Sequence, residues 1–161
     1  MKRKLIGLML LLTLAIGGCG QEVEKVNKTS PESEERQTNT KSVIIYYVDW
    51  KTEEIVQNEI TIEGELPGEI VKILKENELL HAGCEVQNVF VNEEENTMVI
   101  DINADFGNYI RNMGINGAEQ IIECTAKSFM SSYDCEKIKI TEDGTALDTG
   151  HTVLEGYISY K

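Results

Sequence analysis

Basic side chains are scarce in this sequence: 15 lysines and arginines stand against 28 aspartates and glutamates among 161 residues. So acidic a chain repels phosphate backbones, which excludes nucleic acid as a partner. Histidine is scarcer still. Only His81 and His151 occur, and neither lies near a recognisable serine or cysteine elbow, so nucleophilic catalysis finds no support. There is no Cys-x-x-Cys pair, and His81-Ala82-Gly83-Cys84 with the remaining cysteines falls short of a zinc pattern. The apolar run Leu5 to Ile16 has 12 residues, too few to cross a bilayer. No internal repeat is visible.

What is present begins with that run. Met1-Lys2-Arg3-Lys4 is a basic head, the apolar run follows, and Ile16-Gly17-Gly18-Cys19 closes it. Small residues before a cysteine, after such a run, resemble the lipobox of bacterial lipoproteins. The resemblance implies a signal peptide over residues 1–18, cleavage before Cys19 and lipid on its sulfur. Two or three acyl chains there anchor a protein stably to a membrane. Cleavage removes three basic residues and no acidic ones, leaving 12 basic and 28 acidic side chains and a formal charge of −16.

Residues 19–42 are expected to form a lipidated, disordered tether. The stretch is polar, mixed in charge and without apolar periodicity, so it cannot bury enough surface to offset its ordering entropy. As a flexible coil it holds the following domain about 25 Å from the lipid on average. Residues 43–161 then carry patterned elements. Val43-Ile44-Ile45-Tyr46-Tyr47-Val48 reads as a central strand covered on both faces. Asp49 to Thr52 reads as a turn, and Ile60-Thr61-Ile62 as a short strand. Pro67 leads a helix from Glu69 to Leu80, with Leu66, Ile70, Ile73 and Leu74 on one stripe. Val86 to Val91 and Thr97 to Ile102 are strands joined by a charged loop over Asn92 to Asn96. Asn116 and Glu119 form a capping-box arrangement at the head of a second helix. Its apolar stripe is Ala118, Ile121, Ile122, Thr125 and Phe129, and it ends in the polar run Ser131 to Asp134. Glu136 to Ile140 alternates as a strand, Asp143-Gly144 marks a hairpin, Asp148 to Gly150 turns again, and Val153 to Tyr160 adds an edge strand.

The order β-β-α-β-β-α-β with a C-terminal hairpin predicts an α+β fold, its two helices on one face of a mainly antiparallel sheet. Several residue sets were weighed for chemistry. Asp101-Ile102-Asn103-Ala104-Asp105 opens like a calcium loop, but Phe106 stands where a glycine is required and Asn112 where a bidentate glutamate is required. Cys84, Cys124 and Cys135 remain after lipidation. Cys124 lies about 12 Å along the helix from its end, too far for a bond to Cys135. Pairing of Cys84 with Cys124 or Cys135 stays open, buried free thiols being the expected state. Ser128, Ser131 and Ser132 read as helix-end residues. Tyr46, Tyr47 and Trp50 are explained by a strand and its turn, or by a glycan-gripping surface.

The segment from Thr97 to His151 resembles the GerMN domain of sporulation and spore-germination lipoproteins. The matching features are Val99-Ile100-Asp101-Ile102 with Asp105-Phe106, the helix from Gly117 to Tyr133, and Glu136 to Ile140 with Asp143-Gly144 behind it. Residues 43–80 fit the family's opening strand and first helix. The resemblance implies a core similar to the ring-building modules of secretion systems, and a role in sporulation, germination or envelope assembly through protein contacts rather than catalysis. From the residue patterns above, no cofactor and no metal are expected. The reading is a lipid-anchored extracytoplasmic scaffold whose partners are the membrane, through Cys19, and envelope proteins, with homo-oligomers among the assemblies it allows. The sheet edge after Asp143 and the acidic surface are the expected partner faces. The alternative is a peptidoglycan ligand-binding protein or hydrolase acting through surface carboxylates.

Overall fold

The computed structural model describes residues 40–160. The signal peptide, Cys19 and the tether up to residue 39 lie outside these residues. The elements run β1 (Thr40–Asp49), β2 (Glu54–Glu63), α1 (Leu66–Glu76), β3 (Val86–Asn92), β4 (Thr97–Ile102), α2 (Ala104–Arg111), α3 (Ile115–Tyr133), β5 (Lys137–Glu142), β6 (Thr145–Asp148) and β7 (Val153–Leu154). This is an α+β fold, as the order of elements predicts.

Two sheets form instead of one. β1 and β2 pair antiparallel as a separate ribbon, while the second sheet runs β3-β4-β5-β6-β7, with β4 and β5 parallel. β1 is therefore no central strand. Its apolar run is not covered evenly: Val43 and Ile45 are buried and Ile44 between them turns outward, while Val48 is buried further along. β2 extends over ten residues rather than three because β1 offers it a full-length partner.

The helices number three among the described residues, one more than expected. Asn103 caps α2 by accepting a 3.0 Å hydrogen bond from the Phe106 amide, so the Asx-rich stretch starts a helix. Helix α1 stops at Glu76, short of Leu80. Asn77 closes it with an amide bond to the Ile73 carbonyl, and Glu78 takes a left-handed φ of 58°. The chain then turns back, tucking Leu79 and Leu80 into the core. Helix α3 begins earlier than expected. Its N-cap is Gly114, with no side-chain cap bond, so the Asn116–Glu119 box is not formed. The Ala118 amide bonds the Gly114 carbonyl at 2.9 Å instead.

The core draws on all these elements. Met98, Ile100 and Ile102 of β4 and Ile138 and Ile140 of β5 share one buried face of the larger sheet. The expected α3 stripe is buried in full, but so are Cys124, Ala126, Ser128, Met130 and Ser132. A single stripe would not suffice, because β1 lies directly against α3 on a further side of the helix. Asp143 (φ 47°) and Gly144 (φ 79°) form the expected hairpin between β5 and β6. Beyond β7, Ile158 pairs with Ile138, so the C-terminal segment fills the part of β5 that β6 leaves free.

Candidate interaction surfaces

The Asx-rich stretch is structural. The Asp101 carboxylate accepts hydrogen bonds from the Thr141 hydroxyl (2.6 Å) and the Gly144 amide (2.8 Å), tying β4 to the β5–β6 hairpin. Asn103 is used up by capping: its side chain also accepts from the Glu85 amide and donates to the Gly83 carbonyl. Asn112 is the C-cap of α2. Among the described residues, no group of three or more His, Cys, Asp and Glu is placed to hold a metal ion.

Cys84, Cys124 and Cys135 are free thiols, the first two buried. Burial pushes the Cys84 thiol up to about 11 and the Cys124 thiol up to about 12, so both remain protonated and poorly nucleophilic. The histidines stand apart from them in role. His81 packs edge-on against Tyr109 and accepts from the Gly83 amide, while the exposed His151 sits 3.2 Å from the Met113 carbonyl through Nε2.

The serines that read as helix-end residues do something else. Ser128 is fully buried; it accepts a 2.9 Å bond from the Tyr46 amide and donates at 2.8 Å to the Cys124 carbonyl. Ser131 donates to the Ile44 carbonyl, Lys41 to the Ser132 carbonyl, and Gln120 to the Glu53 carbonyl. Together they fasten the ribbon along α3. The aromatic set is dispersed by the same arrangement. Tyr46 packs toward the core with Lys127 5.5 Å from its ring centre, Tyr47 accepts from Asn58 across the ribbon, and Trp50 stands exposed in the turn. Successive strand residues point to opposite faces, so Tyr46 and Tyr47 do not combine into one glycan-gripping surface.

Three further features shape the surface. Arg111 donates two parallel bonds to Glu142, at 2.6 and 2.7 Å, which raises its already high pKa and clamps α2 to the hairpin. Gly107 faces the Glu142 carboxylate so closely that a Cβ there would displace it. A groove of about 300 Å³ lies between α3 and the C-terminal segment, with Ile115, Ile122, Leu154 and Ile158 in its lining and Glu119 and Glu123 beside them. Tyr160 closes part of it, its phenol pushed up to about 12 by burial and then by those two carboxylates. The third feature is β3. It is an edge of the larger sheet and presents Phe90 at 63% and Val91 at 40% exposure. By contrast, the edge after Asp143 is only the two-residue β7. The signal that points to β3 is the uncharged run Gln87-Asn88-Val89-Phe90-Val91-Asn92 inside an acidic sequence.

This architecture defines the class: an α+β domain with the GerMN fold. The described domain superposes on the tandem GerMN domains of the sporulation protein GerM from Bacillus subtilis with a TM-score of 0.57, at 17% identity over 74% of this chain and 46% of that one. On the first GerMN domain of the same protein the TM-score is 0.53, at 15% identity over 74% of this chain and 96% of that one. The chain thus spans less than half of the tandem structure and nearly all of a single domain. No family model and no curated protein sequence matches it.

Proposed function

We propose that this protein is a lipid-anchored, extracytoplasmic GerMN-like module with a non-catalytic binding or scaffolding role in sporulation, germination or envelope assembly. The observation that carries the proposal is the fold shared with the Bacillus subtilis sporulation protein GerM. Two further features support it. Ile16-Gly17-Gly18-Cys19 supplies an acylation sequence, and Asn103, Asp101 and Ser128 are engaged in a helix cap, a hairpin tie and the ribbon seam. No helix among the described residues is long and apolar enough to cross a membrane.

The test pairs the anchor with the role. Full-length protein and Cys19→Ala are expressed in a strain lacking the gene, and fractionation, labelling with an alkyne fatty acid, and spore formation and germination are scored. The proposal expects wild type to be labelled and membrane-bound, with Cys19→Ala unlabelled, released and unable to restore the spore phenotype. Hydrolysis of peptidoglycan by the purified protein, abolished by one carboxylate substitution, would overturn the non-catalytic reading in favour of the cell-wall alternative.

A further inference from the structure

A strand edge exposes unpaired main-chain donors and acceptors, and proteins normally protect it with charge, brevity or a cover. Among the described residues three of the four sheet edges are treated in this way. β1 is covered by α3 and its serines. β2 carries Glu54, Glu59 and Glu63. β7 is two residues long. β3 is neither charged nor short, and its cover is partial: α1 lies against part of it, and its register with β4 shifts between Val86 and Asn88. From Gln87 to Asn92 it holds no charged side chain, it pairs with β4 on one side, and no strand lies beyond it.

Beside that edge lies a groove walled by Glu65, Leu66 and Pro67 on one side and by Val89 and Val91 on the other, with Tyr133 in its lining. Phe90 lies on the sheet face away from the core, in line with Val99 and Lys139. Along the strand itself the charges sit only at the ends: Glu85 precedes it, and Glu93, Glu94 and Glu95 follow it, with Glu65 adding a further negative charge in the groove wall. Neither lysine of α1 on that side forms an ion pair with Glu85: Lys72 pairs with Glu69, and Lys75 donates to the Ala82 carbonyl.

We infer that β3 is an acceptor edge for an extended segment of a partner protein, apolar in its centre and basic at its ends, which adds as a further strand. Main-chain bonds to β3 supply affinity, alternate side chains of the segment meet Val89, Val91 and the groove, and its basic ends meet the glutamates. A second copy of this chain fits less well. Antiparallel pairing of β3 with itself about Val89 sets Glu85 opposite Glu93, and like charges directly opposite are unfavourable. The inference deepens the proposed binding role and rests on it.

The test uses full-length protein in detergent and a short synthetic peptide of alternating valine and threonine with paired lysines at each end. Its twin carries glutamates in their place. Fluorescence anisotropy reads binding, and amide hydrogen exchange reads the location. The lysine peptide is expected to bind about tenfold or more tightly than the glutamate twin, since each end converts attraction into repulsion. It should slow exchange within residues 86–92 and leave β2 unchanged. The double variant Phe90→Lys, Val91→Lys should lose that binding. Val153→Lys, on β7, should keep it.

Equal binding of the two peptides, or binding indifferent to the double variant, overturns the inference. So does protection, without peptide, of those amides in residues 86–92 that face away from β4. If that protection grows with protein concentration, the occupant is a second copy; if it does not, the occupant is another segment of this chain. None of these outcomes bears on acylation of Cys19 or on peptidoglycan hydrolysis, so failure here is distinguishable from failure of the proposed function.

Discussion

Strands β1 and β3 both carry long apolar stretches, yet their outer sides are treated in opposite ways. β1 is sewn to α3: Ser128 receives its Tyr46 amide, Ser131 donates to its Ile44 carbonyl, and the strand's apolar side chains enter the core. β3 leaves a comparable set of main-chain groups facing outward, beside a groove and under an exposed Phe90. The same physics governs both, because unpaired buried amides are costly and exposed edges recruit strands. The difference locates stability in the seam and availability for contacts in β3.

The comparison can be attacked from its stable side first. Phe129 is fully buried on the helix that covers β1, stacked on Tyr133 at 6.3 Å between ring centres. Phe129→Ala should cost about 3–5 kcal/mol in urea unfolding, by lost burial plus the cavity left behind. A loss under about 1 kcal/mol would mean that the helix is not the keel of the domain.

The buried thiols give a comparable effect, through pH. Cys84 and Cys124 are raised by burial to about 11 and about 12 from an ordinary value of 9.0. The folded state keeps protons that the unfolded chain releases, so stability is full below the ordinary value and falls as pH rises through the folded ones. Unfolding midpoints should imply a loss on the order of 5 kcal/mol between about pH 8 and about pH 11. Replacing both cysteines by alanine should reduce that part of the profile, leaving the share owed to Tyr160, whose phenol is raised to about 12, and to Cys135, Tyr109 and Tyr133, which burial also raises.

Ser128→Ala acts on the seam itself. It strands the Tyr46 amide without its partner, at a cost of about 1–3 kcal/mol, and should speed exchange of that amide. Were Ser128→Ala neutral, β1 would be held by packing alone and the contrast with β3 would weaken. The smallest effect is expected at β3: Phe90→Lys should change stability by no more than about 0.5 kcal/mol, because the side chain is mostly in water.

Much of this molecule is legible in its sequence, and the remainder is not for identifiable reasons. β4, the loop before it and the Asp143-Gly144 hairpin are local patterns, and they appear where periodicity and turn chemistry put them. Helix α2 was hidden because an Asx residue that caps a helix resembles the opening of a calcium loop; Asn103 serves the first purpose. β1 passed for a central strand because continuous apolar character does not tell cover by a second strand from cover by a helix. The seam could not be read at all, since Tyr46 and Ser128 lie 82 residues apart. The Arg111–Glu142 clamp, with 31 residues between its partners, was equally invisible. Of the surfaces, only β3 left a trace, in a run of uncharged letters bracketed by glutamates. The proposed acylation of Cys19 rests on the sequence alone.

The most direct measurement places a photo-crosslinking amino acid at Phe90 in one strain and at Trp50 in another, in otherwise full-length protein on living cells. Both positions are exposed, at 63% and 46%, but only Phe90 belongs to the open edge. The account predicts a discrete protein adduct from position 90 that position 50 does not give. A glycan adduct at Trp50 with nothing at Phe90 would contradict it.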